Sequence, residues 1–320
     1  MLSRRHLRVK VMQSLYAWFQ SGETQLPLFE KSLISSIEDI YTLYINLLSA
    51  LNETRDFALN RMEDARQKYL PTAEDLNPNT RFVDNPLLMQ LDNNRQLRKL
   101  ITQNKISWAD HQEIIRKMYQ TLRDSEEFQK YMNVPAVSYR QHKELVLYFF
   151  GEIMLRSDAF ISLFEERSIH WADDIDTAAT MVAKTIRKWE ASYDEFTVLP
   201  PLLVSPDEEG DDLIKDFVLK LFRKVITKGA ESSDLIAKRA QNWDIDRIAS
   251  LDIIILKMAL AEFTDFPSIP VKVTINEYIE ISKDYSTPRS RQFVNGMLDK
   301  LVADLRSEEK IKKTGRGLIE

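Results

Sequence analysis

Two short stretches at opposite ends of the sequence carry side chains that could hold a polyanion. The first 22 residues contain Arg4, Arg5, Arg8 and Lys10 and no acid. Four cations on one arm can neutralise phosphates, and the unpaired N–H groups of a helix start act in the same direction. His6 and Tyr16 offer faces on which unpaired bases could stack. The same pattern also fits a solvated basic face over a buried Leu7, Val11, Leu15 stripe, and these residues alone leave both readings open.

The second stretch is Thr287-Pro-Arg-Ser-Arg291. It places two arginines and two hydroxyls in the first turn of a helix, where positive charge opposes the helix dipole. An anion seated on that end would account for them; plain surface is the other reading. Tyr285 and Phe293 flank the site. Phe293 can stack on a base or, by its spacing to Met297, belong to the core.

Other chemistry finds little support. There is no cysteine, which excludes disulfides and thiolate catalysis, and His6, His111, His142 and His170 are too scattered to pair as metal ligands. Neither common glycine-rich phosphate cradle occurs. The acids at Asp173-Asp174 and from Asp207 to Asp212 fall in expected loops, and no nucleophile with a base beside it stands out. The expectation is a non-enzyme with no cofactor and no metal.

The 320 residues, 44% of them hydrophobic, suffice for one large domain or two modest ones. With 7 glycines and 11 prolines, most of the chain can be uninterrupted helix. The net charge of −5 coexists with locally basic ends, the second at Lys310, Lys312, Lys313 and Arg316. No signal-peptide pattern and no apolar run of about 20 residues occurs, so a cytoplasmic protein without membrane contact is expected.

Periodicity predicts helices almost throughout, and the fold class is all-α. One helix spans about 3–20, stopped by Ser21-Gly22. Another carries Ile37 to Tyr69 at three-and-four spacing. Shorter ones fall near 87–103, 107–123 and 125–132, then one from Tyr139 and one over 176–190. Residues 192–210 read as a linker. A helix over 213–228 ends with Gly229 as C-cap, and another runs from Ser233 towards Trp243. The segment 248–263 is apolar nearly all round, so it should be central and buried. Thr274 to Glu277 fits a capping box, and Thr287 with Pro288 fits the start of a last helix. A shift of 72 positions sets Leu145, Val146, Phe150, Ile153, Leu163, Arg167, Trp171 and Asp174 on Phe217, Val218, Phe222, Val225, Leu235, Arg239, Trp243 and Asp246, the pattern either of two amphipathic helices matching by chance or of a degenerate internal copy.

Asn295-Gly296 is ordinarily a turn signal, yet Val294, Leu298, Leu301 and Leu305 run through it at helical spacing. A helical glycine there implies close approach of a neighbouring helix, with Asn295 bonding across the contact.

"RRHLRVKVMQSLYAW", followed far downstream by "NWDIDRIASLDIIILKMALAEF", "IPVKVTINEYIEISKDYS" and "SRQFVNGMLDKL", resembles the NusB family of bacterial transcription antitermination factors. Ile275-Asn-Glu277 and Phe293-Val-Asn-Gly296 are its most specific pieces. The resemblance implies a NusB-like helical bundle from 1–25 and 207–306, a large all-helical insertion over 26–206, and a disordered tail over 307–320.

It also implies RNA binding without enzymatic activity. The expected ligand is boxA-type single-stranded RNA, held together with ribosomal protein NusE during ribosomal RNA transcription. Other antitermination factors and RNA polymerase would be indirect partners. By matched motif the RNA surface takes Arg4, Arg5, Arg8 and Tyr16 from the first block, joined by His6 and Lys10 of the same arm. Tyr285, Arg289, Ser290 and Phe293 come from the last block. Asp252 matches an acidic position near the partner surface. Val9 and Lys10 stand where the family often has a small residue or glutamate, and Arg289 where it is frequently acidic. Two rivals are a helical protein–protein scaffold without RNA binding and an RNA methyltransferase. The second lacks a cofactor loop and a catalytic cysteine in this chain.

Overall fold

The computed structural model describes residues 2–22, 25–202, 211–240 and 249–319, and no β-strand occurs among them. The helices are α1 (Arg4–Ser21), α2 (Leu26–Arg66), α3 (Ala73–Leu76), α4 (Pro86–Asn93), α5 (Arg95–Gln103), α6 (Gln112–Asp124), α7 (Glu126–Asn133), α8 (Tyr139–Tyr148), α9 (Asp158–Arg167), α10 (Ile169–Lys188), α11 (Asp211–Thr227), α12 (Gly229–Arg239), α13 (Ser250–Asp265), α14 (Val271–Tyr285) and α15 (Pro288–Ser307). They form two compact units. The terminal unit takes Leu2–Ile37 and Leu203–Glu320, and the inserted unit takes Glu38–Leu202. The division falls inside α2 rather than in a loop.

In the terminal unit α13 is the hub. Ten of its residues, from Asp252 to Phe263, are buried, and it packs against α1, α11, α12, α14 and α15. A helix that is apolar all round has no face to give to water, so neighbours must cover each side. One of them is α1, which buries Leu7, Val11, Met12 and Leu15. Gly22, in the left-handed region at φ 65°, ends α1. Trp18 extends the contact, its ring edge-on to Phe29 at 5.1 Å and to Phe222 at 6.4 Å.

The inserted unit has its own core, including Phe82, Phe149, Phe150, Phe160, Phe164 and Trp108. Trp108 Nε1 donates to Ser49 Oγ at 2.9 Å, satisfying a buried polar group. Asn94 splits the helix expected over 87–103, because its side chain caps the start of α5 by accepting from Leu97 N at 2.9 Å. A π-helical turn, Phe149–Met154, follows α8. The copy suggested by the 72-residue shift has no such turn at Phe222, which lies in regular α11. Trp243 and Asp246 of that comparison lie outside the described residues.

Several sequence expectations change. The 192–202 half of the expected linker is pinned: Leu199 is buried, Gln90 Nε2 donates to Tyr193 O at 2.7 Å and Asn94 Nδ2 to Thr197 O at 2.7 Å. Residues 203–210 lie outside the described residues. Gly229 opens α12 instead of capping α11, and Ser233 lies inside α12, donating to Gly229 O at 2.9 Å. The start of α14 is Val271, one turn before the expected capping box. Thr274 is therefore interior, and Glu277 is free to pair elsewhere.

The tail after Ser307 is tied down. Lys313 Nζ donates to Glu262 O at 3.1 Å and Phe266 O at 2.9 Å, covering carbonyls that the end of α13 leaves unpaired. Thr314 N donates to Pro267 O at 3.0 Å. At Gly317 any Cβ would overlap the Pro267 carbonyl oxygen, so only glycine permits this approach. By contrast, nothing lies within 4 Å of a Cβ built at Gly296, and Asn295 is exposed. No helix among the described residues crosses there, which corrects the packing expected for that glycine.

Candidate nucleic-acid interface

The basic arm divides into side chains that face outward and side chains that serve the fold. Arg4 is exposed and makes no ion pair among the described residues. Arg5, 40% exposed, is held by Glu277 through Nε and Nη2, both at 3.1 Å, and lies 3.9 Å from Glu280. The hydrogen bonds that Arg5 donates to Glu277 raise its pKa; burial opposes this, and the charges of Glu277, Glu280 and Asp284 add to the rise.

Arg8 is 1% exposed. Its Nε and Nη2 donate to the two oxygens of Glu262 at 2.8 and 2.6 Å. Thr274 and Tyr278 also donate to Glu262, at 2.8 and 3.2 Å. Burial disfavours the Arg8 charge, but Glu262's carboxylate and its hydrogen bonds outweigh burial and raise the pKa further. The rings of Phe217 and Tyr278 lie 5.4 and 5.8 Å from the guanidinium. Arg8 is thus an internal fastener of α1, which corrects its assignment to the RNA surface. Lys10 is 2% exposed and leaves that surface for the same reason.

His6 closes the start of α1. Ser3 N donates to its Nδ1 at 3.2 Å while Ser3 Oγ accepts from His6 N at 3.4 Å, a reciprocal cap. Tyr16 is 43% exposed and keeps a face in solvent. Phe19, one turn on, is 40% exposed with Lys257 Nζ 4.9 Å from its ring centre. Neither Phe19 nor Lys257 stands out in the sequence, because each sits in a segment whose pattern reads as core.

At the other block, Thr287 Oγ1 accepts from Ser290 N at 3.2 Å, and Pro288 takes the first helical position, as expected. Arg289 is exposed and makes no ion pair among the described residues; Ser290 and Tyr285 are half-buried. Phe293 is 3% exposed and belongs to the core with Met297, so it cannot stack on a base. Asp252 is 1% exposed and accepts from Ser286 Oγ at 2.5 Å. It ties the α14–α15 turn to the first turn of α13 instead of meeting a partner.

These ties set the layout. Glu262 bonds Thr274 and Tyr278, and Asp252 bonds Ser286, so α13 and α14 run antiparallel. The Arg8 anchor and the Asp252 anchor are ten residues apart on α13, about 15 Å. Arg4 and Arg289 therefore do not form one cluster. They lie towards opposite ends of α14, whose stripe of Glu277, Glu280 and Asp284 follows Arg5 towards Tyr285. A groove lined by Arg4, Arg5, His6, Val273, Glu277 and Asp284 runs along that stripe.

The NusB family model matches residues 175–303, from within α10 to within α15, and leaves α1 outside the match. A transcription antitermination protein NusB of Salinibacter ruber is 40% identical over 142 residues, 44% of this chain and 89% of the relative. The chain belongs to the NusB family. A second NusB relative, of Chloroherpeton thalassium, is 39% identical over 118 residues, 37% of this chain and 56% of its own length. A third, of Koribacter versatilis, is 39% identical over 102 residues, 32% of this chain and 70% of its own length. No solved structure matches. Each relative thus covers less than half of this longer NusB chain. No helix among the described residues is long and apolar enough to cross a membrane.

Proposed function

We propose that this chain is an RNA-binding transcription antitermination factor of the cytoplasm. It holds boxA-type single-stranded RNA together with ribosomal protein NusE during ribosomal RNA transcription. Family membership supports the role, since the three relatives are named transcription antitermination proteins. The observation that carries the RNA reading is the contrast between neighbouring arginines. Arg5 and Arg8 are neutralised by carboxylates, while Arg4 and Arg289 stand exposed without an ion pair among the described residues.

Phosphates at the two ends of α14 would be positioned by Arg4 and Arg289, with Tyr16 and Tyr285 as candidate stacking faces. Arg289 supplies positive charge at a position that the family resemblance implies is frequently acidic, so RNA phosphate contact at the start of α15 should be stronger here. Titration of boxA-like RNA in rising salt tests this. Arg4→Ala with Arg289→Ala should weaken binding and make the log–log salt slope shallower by about 1.4, roughly 0.7 per single-strand phosphate. An unchanged slope rejects the reading, and co-purification of a helical partner without NusE or RNA would favour a protein–protein scaffold.

A further inference from the structure

The C-terminal segment lies against the same end of the terminal unit as the start of α1. Its path is fixed by Lys313 on the α13 carbonyls, Thr314 on Pro267 and Gly317 packed against Pro267. Those contacts carry Arg316 and Ile319 into the groove that holds Arg4 and Arg5. The other flank of the segment borders an adjoining groove lined by Lys272, Ile275, Arg306, Lys312 and, again, Ile319. Basic side chains from three separated stretches, 4–5, 272 and 306–316, thus follow one another around the tail.

Their state matters more than their number. Arg4, Lys272 and Lys312 are exposed and make no ion pair among the described residues. The acids nearby are Glu277, which Arg5 occupies, Asp284 at the far end of the first groove, and Glu309 in the second. Between the cations lie Val273, Leu318 and Ile319, at 43%, 67% and 66% exposure. A folding role does not explain unpaired cations interleaved with exposed aliphatic groups. Phosphates on the cations, with sugars and base faces over the aliphatic groups, satisfy both chemistries without reading base edges.

We infer that the surface around the folded-back tail, through Lys272 and Lys312, forms a second, sequence-independent RNA contact that grips the strand beyond the boxA-type element. This rests on the RNA-binding reading proposed above and extends it to Lys272, within the family match, and to Lys312, beyond it. The occupant is the ribose-phosphate backbone of an unpaired flanking stretch.

The test uses the full chain and two RNAs, a short boxA-like strand and the same strand with unpaired flanks on both sides. Wild type should bind the flanked RNA more tightly and with a steeper salt dependence. The variant Lys272→Ala/Lys312→Ala should lose that gain, about tenfold at physiological salt, with the slope shallower by about 1.4, roughly 0.7 per single-strand phosphate. Its affinity for the short RNA and its thermal midpoint should stay as in wild type. The charge-keeping variant Lys272→Arg/Lys312→Arg should retain the gain. Equal affinity of wild type for the two RNAs overturns the inference. If Arg4→Ala weakens both RNAs while the Lys272→Ala/Lys312→Ala variant weakens neither, only the tail inference fails. If Arg4→Ala weakens neither RNA, the underlying reading fails as well.

Discussion

Arg8 of α1 and Glu262 of α13 form a doubly hydrogen-bonded ion pair at 2.6 and 2.8 Å, with side-chain exposures of 1% and 0%. It joins segments 254 positions apart in sequence. Removing one partner leaves a charge in a dry interior, which typically costs about 3–5 kcal/mol. Arg8→Ala should therefore destabilise the terminal unit by that order, measured by urea unfolding. Arg8→Met with Glu262→Leu should recover part of the loss. Recovery stays partial because the Thr274 and Tyr278 hydroxyls lose their acceptor.

The two aromatic candidates should separate cleanly. Tyr16→Ala removes an exposed face and should weaken RNA binding by about 1–3 kcal/mol if a base stacks there, with the thermal midpoint nearly unchanged. Phe293→Leu disturbs the core and should lower stability on the order of 1 kcal/mol without altering RNA affinity of the folded protein. Anisotropy titration and thermal unfolding of both variants decide it.

Acid sensitivity should trace in part to Asp265 at the end of α13. Burial alone would raise its pKa, but Lys228 at 2.6 Å, Lys224 at 2.9 Å and the Thr264 hydroxyl outweigh burial and depress it. A depressed carboxylate binds fewer protons folded than unfolded. Its contribution is complete above the unfolded value, about 3.9, and is lost as pH falls through the lower folded value. Asp265→Asn should flatten the stability-versus-pH curve below about pH 4 and lower the plateau above it. Parallel curves for the two proteins would contradict this.

Gly296 sits inside α15 with open space around it. Alanine at that position should stabilise the chain by up to about 1 kcal/mol, since nothing blocks a methyl group and helix propensity improves. Thermal unfolding of Gly296→Ala checks this, and destabilisation would mean that the surface is covered.

The helices were legible in the sequence because their apolar spacing is strong, and the buried character of α13 followed from its lack of a polar face. The starts of α14 and α12 were not. Thr274 and Ser233 look like N-caps, yet each has a better use inside its helix, Thr274 on Glu262 and Ser233 on Gly229 O. The site was legible only as charge. Arg8 shares a face with Met12 and Leu15, and the one acid within the apolar run "IIILKMALAEF" demanded a buried cation. That pairing was the available signal, but nothing local says which arginine answers it. Phe293 and Asp252 show the same limit, since a motif fixes residue type while packing decides exposure.

Helix α2 passes without interruption from the terminal unit into the inserted one, with the division after Ile37. Excising the insertion at that point would sever a hydrogen-bond ladder and strand roughly four carbonyls at the new stump. Any shortened version must therefore supply its own stop there, such as a left-handed glycine, before its behaviour says anything about what the missing helices do.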